Sequence, residues 1–289
     1  MIEDKKMEKN AIQDGVLYLV ATPIGNLADI SERALKVLSE VDFVAAEDTR
    51  NTGKLLSYYG ISKRMISYFE HNKRERGLEI VERLKRGESC ALVTDAGTPA
   101  ISDPGEDIVR LCAENDIIVT SIPGCCAVIN ALALSALPTT RFCFEGFLSV
   151  AKGERRERLE QIKADRRTTI FYEAPHKLKR TLVDIFEVFG DRKISLCREL
   201  TKINEEIMRT TLSGAISYYE KNDPRGEYVL VVEGASEADV ASTAFWATLS
   251  IEEHVDHYIM LGMNKMDAIK AVAKDRGVPK SEIYKLINT

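Results

Sequence analysis

At 289 residues the chain is long for one hydrophobic core and suits two domains plus an appendage. Its 45% hydrophobic and 29% charged residues are those of a globular protein rather than of a disordered or membrane-spanning one. A formal charge of −5 excludes a uniformly basic nucleic-acid coat, so any nucleic-acid surface must be local.

The opening M-I-E-D-K-K-M-E-K-N is polar and mixed in charge, unlike a signal peptide, and residues 1–14 read as a disordered tail. Residues 15–137 read as an α/β domain. Short apolar strands at 16–21, 42–46, 65–68, 90–93 and 117–121 alternate with helical patterns, the first of them N-capped by Ser31. Such alternation predicts a mainly parallel sheet covered on both faces. The last helix of this half, Cys125 to Leu137, is the longest mostly apolar run; it is too short to span a bilayer and reads as core, so no membrane is implied.

The turn-rich Leu137-Pro138-Thr139-Thr140 marks the boundary to a second α/β domain, 138–235, with a mixed sheet. Its strands are expected at 141–145, 168–172, 194–197, 205–212 and 227–233. A charged helix spans 153–164, and a second helix carries Leu178, Leu182, Ile185, Phe186 and Phe189 on one face. Residues 234–243 are small and polar, a linker. Residues 245–289 read as short helices joined by Gly262 and Gly277, where Ala273, Gly277 and Ile283 have the spacing of a helix-turn-helix. An ordinary helical hairpin has the same pattern.

The chain's chemistry centres on Ala91 to Gly105, A-L-V-T-D-A-G-T-P-A-I-S-D-P-G. An apolar strand stops at Thr94, and eleven residues with two Gly and two Pro follow before the next helix, so the backbone turns tightly and exposes its amides. In an open α/β sheet such a loop lies where ligands bind. The loop after the first strand, T-P-I-G-N-L-A-D, has one glycine instead of G-x-G-x-x-G, and there is no G-x-x-x-x-G-K-[ST]; both features argue against a dinucleotide or nucleoside triphosphate. S-adenosylmethionine, with no phosphate, fits a pocket built from loop amides, carbonyls and apolar walls. The six cysteines lie in apolar or small-residue runs without C-x-x-C spacing and read as buried free thiols, which implies a reducing cytoplasm. His254 and His257 read as exposed helix residues rather than metal ligands, and no metal is expected.

Seven loops, T22-P-I-G-N-L-A-D-I-S31, A46-E-D-T-R50, V93-T-D-A-G-T-P-A-I-S-D-P-G105, P123-G124, F144-E-G-F147, F171-Y-E-A-P-H-K177 and R198-E-L-T-K202, closely resemble the tetrapyrrole methylase superfamily. Within it they resemble the branch that methylates a cytidine ribose 2′-hydroxyl in small-subunit (16S) ribosomal RNA. The resemblance runs from about Gly15 to Gly234. It implies a two-domain homodimer with S-adenosylmethionine in the cleft between domains, touching Pro23, Asp95, Ala96, Gly97, Thr98, Pro99, Ile101, Cys125, Cys126 and Tyr172. Two departures stand out. Ser149 follows Leu148 where relatives continue Leu-Pro, and Lys177 replaces the usual Arg, keeping the charge without the bidentate fork.

Residues 151–180 hold ten Lys and Arg against five acids, a basic island in an acidic chain. Arg155, Arg156, Arg158, His176, Lys177 and Arg180 are its expected RNA contacts; a solvated helix face with i,i+4 pairs is the alternative. Asp48, Glu145 and Glu173, polar residues at strand ends, are candidates to take the proton of the acceptor hydroxyl. Two other functions fit the same residues. One is methylation of a tetrapyrrole or other small molecule, which needs neither basic island nor helical tail; the other is a non-catalytic RNA-binding ribosome-assembly factor, which would bind cofactor without transferring methyl.

Overall fold

The computed structural model describes residues 11–243 and 245–287. Five short strands, β1 (Leu17–Val20), β2 (Phe43–Ala46), β3 (Met65–Ser67), β4 (Cys90–Val93) and β5 (Val119–Ile122), pair in parallel in the order β3-β2-β4-β1-β5. Strands β2 and β4 are buried at every residue because helices cover both faces of the sheet. Tyr18, Val20, Val44, Ala46, Ala91 and Val93 pack with α1 (Glu32–Glu40) and α2 (Thr49–Tyr58). Leu17, Phe43, Ala45, Cys90 and Leu92 pack with α3 (Lys73–Lys85) and α4 (Gly105–Glu114). The helix after β1 and the helix after β4 thus lie on opposite faces, so a crevice opens at the carboxyl ends of these adjacent strands.

The second sheet, β6 (Phe142–Phe147), β7 (Thr168–Glu173), β8 (Lys193–Arg198), β9 (Glu206–Thr211) and β10 (Tyr228–Val232), has the order β6-β7-β10-β8-β9 and is mixed, with only β6 and β7 parallel. One face is covered by α6 (Lys152–Ile162), α7 (Pro175–Phe189) and α8 (Leu212–Lys221) through Leu159, Leu178, Leu182, Ile185, Phe189 and Leu212. The other face is covered by α5 (Ala127–Leu134), whose Val128, Ala131 and Leu132 meet Ile170, Cys197, Val229 and Val231. The expected boundary near Leu137 assigned this helix to the first half; its packing assigns it to the second. A helix with Asn130 as its one polar residue, A-V-I-N-A-L-A-L, carries no signal for which sheet it will cover.

Two segments expected to be loose are anchored. In the tail, residues 1–10 lie outside the described residues, but Ile12 packs against the first core and the Gln13 amide donates to Tyr18 Oη at 2.8 Å. The expected linker contains a helix, α9 (Glu237–Thr243), and is tied to the second domain by Ala235 N–H to Asp165 O (2.7 Å) and by Arg166 to Glu237 (3.0 Å).

The C-terminal helices α10 (Ile251–Met260), α11 (Lys265–Arg276) and α12 (Lys280–Ile287) share a core of Val255, Ala268, Ile269, Val272, Ala273 and Ile283. Gly277 closes α11 in the left-handed region (φ 66°), the αL cap that favours glycine. His254 departs from expectation: it is fully buried, stacked on Trp246, with Nδ1 accepting from Arg276 Nε at 3.2 Å. Burial, reinforced by the Arg276 charge, lowers its pKa and favours the neutral ring. His257 is half-buried against Phe245.

Candidate active site

The loop after β4 is held in shape by one side chain. Asp103 accepts hydrogen bonds from the amides of Ala100 (2.9 Å), Ile101 (3.3 Å) and Gly105 (2.7 Å). Ala100 and Ser102 sit at φ 69° and 68°, a conformation that side chains disfavour and that surrounding structure must impose. Gly97, at φ 89°, exchanges both backbone hydrogen bonds with Thr22 in the loop after β1 (2.9 and 3.0 Å). Thr98 Oγ1 donates to Cys125 O (2.9 Å) in the loop after β5. Three strand-end loops are thereby joined into one wall.

Facing that wall, the second sheet contributes Phe147, Tyr172 and the Glu199 to Lys202 turn, where Glu199 and Thr201 have positive φ. Between them is a cavity of about 500 Å³, within the ~300–1,000 Å³ usual for small-molecule sites. Ala96, Gly97, Thr98, Ile101, Cys126 and Tyr172 line it, as does Asp95. Pro99 is buried beneath the loop, Cys125 stands behind it with Sγ near Asp29 O, and Pro23 lines a neighbouring cleft. Burial raises the Tyr172 phenol to about 12, so it stays protonated, and its ring meets Phe144 and Phe147 at 4.9 and 5.4 Å.

The lining suits a nucleoside without phosphate. Ile24, Ile101, Leu200 and Tyr172 give apolar surface and the 96–98 backbone gives polar contacts. Lys202, the single lining cation among the described residues, is already paired with Glu199 (2.9 Å) and Glu227 (3.0 Å). This donor set fits S-adenosylmethionine and leaves no free charge for a pyrophosphate. Among the described residues no group of His, Cys, Asp or Glu is arranged to hold a metal ion. The cysteines are free, with Cys90, Cys112 and Cys197 buried and Cys125, Cys126 and Cys143 half-buried rather than buried as expected.

All three expected proton acceptors are otherwise engaged. Asp48 caps α2, accepting from the Arg50 amide (2.8 Å) and guanidinium (2.7 Å), and those hydrogen bonds lower its pKa to about 2. Glu145 receives two bonds from Arg158 (2.8 and 3.0 Å) and lies outside the cavity lining. Glu173 is 2% exposed, with Oε1 accepting from Ala174 N and Lys177 Nζ and Oε2 from Thr181 Oγ1 (2.5 Å). Among the described residues two exposed carboxylates line the cavity: Glu227, which is paired with Lys202, and Asp95, expected only as a cofactor contact.

The basic island is mostly neutralised. Arg155 is 4% exposed, bound to Asp184 (2.5 Å) and to the carbonyls of Ser149 and Val150 (2.9 and 3.1 Å), so it is a structural residue and not an RNA contact. Lys177 is likewise buried on Glu173 (3.0 Å). Arg156 pairs with Glu187 (3.0 Å) and Arg158 with Glu145 (2.8 Å). His176 and Arg180 are exposed, as is Lys152. Residues missed from sequence include Asp103, Lys202 and Phe147; the loop density of Asp, Pro and Gly signals the first, while the others depend on the second sheet folding back over the first.

Comparison with known proteins agrees with this geometry. The profile described as Tetrapyrrole (Corrin/Porphyrin) Methylases matches residues 16–216. The chain belongs to the tetrapyrrole methylase family. It is 48% identical over 272 residues to the ribosomal RNA small subunit methyltransferase I of Halalkalibacterium halodurans, covering 94% of each chain, and 47% identical over 282 residues to the Bacillus subtilis protein of that name, covering 97% of each. Kinship of this strength makes the chain an S-adenosylmethionine-dependent methyltransferase of this family. In fold it is similar to uroporphyrin-III-C-methyltransferase from Thermus thermophilus (TM-score 0.53, 16% identity, 79% of this chain and 96% of that one). It is also similar to a cobalt precorrin-4 methyltransferase (TM-score 0.54, 18% identity, 75% and 94%). Both show the two-sheet fold. The sequence relatives are bacterial, which corrects the expected cytoplasm in the sense of a eukaryotic compartment.

Proposed function

We propose that the protein transfers a methyl group to the ribose 2′-hydroxyl of a cytidine in small-subunit (16S) ribosomal RNA. The observation that carries this reading is the 48% identity, along 94% of both chains, to a protein named for methylating small-subunit ribosomal RNA. S-adenosylmethionine supplies an activated methyl group when bound. The 96–98 backbone, Ile101, Cys126 and Tyr172 hold it in the cavity between the sheets, where apolar walls exclude water and fix its orientation.

A small-molecule acceptor would need no three-helix appendage, and α10 to α12 lie beyond the matched segment 16–216. A ribosomal substrate gives that appendage, and the exposed His176, Arg180 and Lys152, something to meet. The test is incubation of isolated small subunits with labelled S-adenosylmethionine, followed by nuclease mapping. Label at one ribose-methylated cytidine is expected. Label only on added porphyrinogen would establish the small-molecule reading, and cofactor binding without any transfer would establish a non-catalytic factor.

A further inference from the structure

Beside the cofactor cavity lies a second cleft of about 440 Å³, on the first-sheet side of the same loop. Thr94 and Asp95 line both spaces and form the wall between them. The far side of the cleft is one face of α2: Asn51, Lys54, Leu55 and Tyr58, spaced i, i+3, i+4 and i+7. Of these, Asn51, Lys54 and Tyr58 are exposed, while buried Thr52 closes the base of the cleft and Leu56 packs into the core.

Each of these side chains suits a nucleotide. Lys54 has no ion pair among the described residues, so its charge is available to a phosphate. Tyr58, 67% exposed, presents an aromatic ring braced edge-on by Tyr59 (4.9 Å), whose hydroxyl donates to Leu27 O (2.5 Å) and fixes the turn that forms the rim. An exposed, braced aromatic ring is a stacking platform for a base. Asp95 is held by Asn51 Nδ2 (3.2 Å). Partial burial, with the Glu47 and Asp48 charges adding to it against the Asn51 hydrogen bond, keeps its pKa above the ordinary carboxylate value, the direction that strengthens a base.

We propose that this second cleft receives the acceptor nucleotide, with its base on Tyr58, a phosphate on Lys54 and its ribose hydroxyl at Asp95. The assignment rests on the ribosomal RNA reading above. In-line displacement needs donor and acceptor on opposite sides of the methyl carbon, and the two cavities share Thr94 and Asp95, so a nucleotide in the second would border the donor at those residues. The acceptor oxygen bonds to the methyl carbon as the methyl–sulfur bond breaks, its electron pair staying on sulfur, and the hydroxyl proton passes to the Asp95 carboxylate.

The test uses the full chain with isolated small ribosomal subunits. Lys54→Ala and Tyr58→Ala should bind S-adenosylmethionine in calorimetry within about twofold of wild type, yet raise KM for subunits about tenfold, with kcat nearly unchanged. Asp95→Asn should lower kcat about 100-fold, and Asp95→Glu should restore part of it. Ultraviolet crosslinking of wild type to subunits should label the peptide spanning residues 50–59. An active wild type whose Lys54→Ala and Tyr58→Ala variants keep its KM, with crosslinks confined to other segments, overturns the acceptor assignment alone. A wild type that transfers no methyl to subunits overturns the ribosomal reading and this assignment with it.

Discussion

The loop after β4 and the basic stretch through α6 and α7 are the two most conspicuous segments of the sequence, and they behave in opposite ways. The loop uses its polar groups to hold a strained backbone open around a cavity, with Asp103 satisfying three amides and positive φ at Gly97, Ala100 and Ser102. The basic stretch turns inward: Arg155, Arg156, Arg158 and Lys177 each find a carboxylate within the same protein. Composition counts charges, whereas a nucleic acid meets only the charges left unpaired. A run of Pro, Gly and Asp is informative because those residues constrain their own backbone; a run of Arg is ambiguous until its partners are known.

The contrast can be broken most sharply at Arg155. Replacing it with Ala leaves Asp184 buried without a partner, and the loss in unfolding free energy measured by denaturant titration should be about 3–5 kcal/mol. Cofactor affinity of the folded fraction should be unchanged. A fully stable Arg155→Ala that binds subunits weakly would return this residue to the RNA surface.

Next in size is Gly97→Val. An added Cβ meets only Ile24 and Cys125 O at ordinary contact distances, so the cost comes from φ 89° and should be about 1–3 kcal/mol. S-adenosylmethionine binding by calorimetry should fall at least about tenfold. Native stability and affinity together would show that the loop tolerates a side chain where the wall is thinnest.

The two carboxylates at the head of α2 and in the loop can be separated by pH. Asp48 has its folded pKa lowered from 3.8 to about 2 by Arg50, so its stabilising contribution is complete above the unfolded value and is lost as pH falls toward 2. Asp48→Asn should therefore leave kcat between pH 6 and 9 within about threefold of wild type, whereas removal of a group acting as base lowers it about 100-fold.

The smallest effect is expected for Lys152→Glu with Arg180→Glu. Both residues are exposed, so stability should move by less than about 0.5 kcal/mol, while the slope of subunit affinity against salt should fall by about one for each phosphate no longer engaged. An unchanged slope would leave α6 and α7 with no part in RNA binding.

What can be read from the sequence is what is local. The strands of the first sheet, the Ser31 cap and the Gly277 turn follow from residues within a few positions of one another. So does the position of the loop after β4, because strand-end loops of a parallel sheet collect at one edge. What escapes depends on distant chain. Asp184 lies 29 residues beyond Arg155, and nothing near Arg155 announces it. The helix α5 is apolar apart from Asn130 and gives no hint of the sheet it covers. His254 looks solvent-facing in an acidic helix until Trp246 and Arg276 enclose it. The residues of the acceptor cleft stay hidden because a mixed stripe such as Asn51, Lys54 and Tyr58 resembles any exposed helix face unless the cavity opposite is seen.

The role of Asp103 bears on how such an enzyme can change over time. Three amides converge on one carboxylate, so the loop's contour is encoded at a single position, separate from most of the residues that touch the ligand. A neighbour such as Ile101, whose exposed side chain takes no part in that curve, is then open to exchange without its collapse. Side chains around this one aspartate can change the occupant while the curve stays, whereas a change at Asp103 itself would release three amides at once.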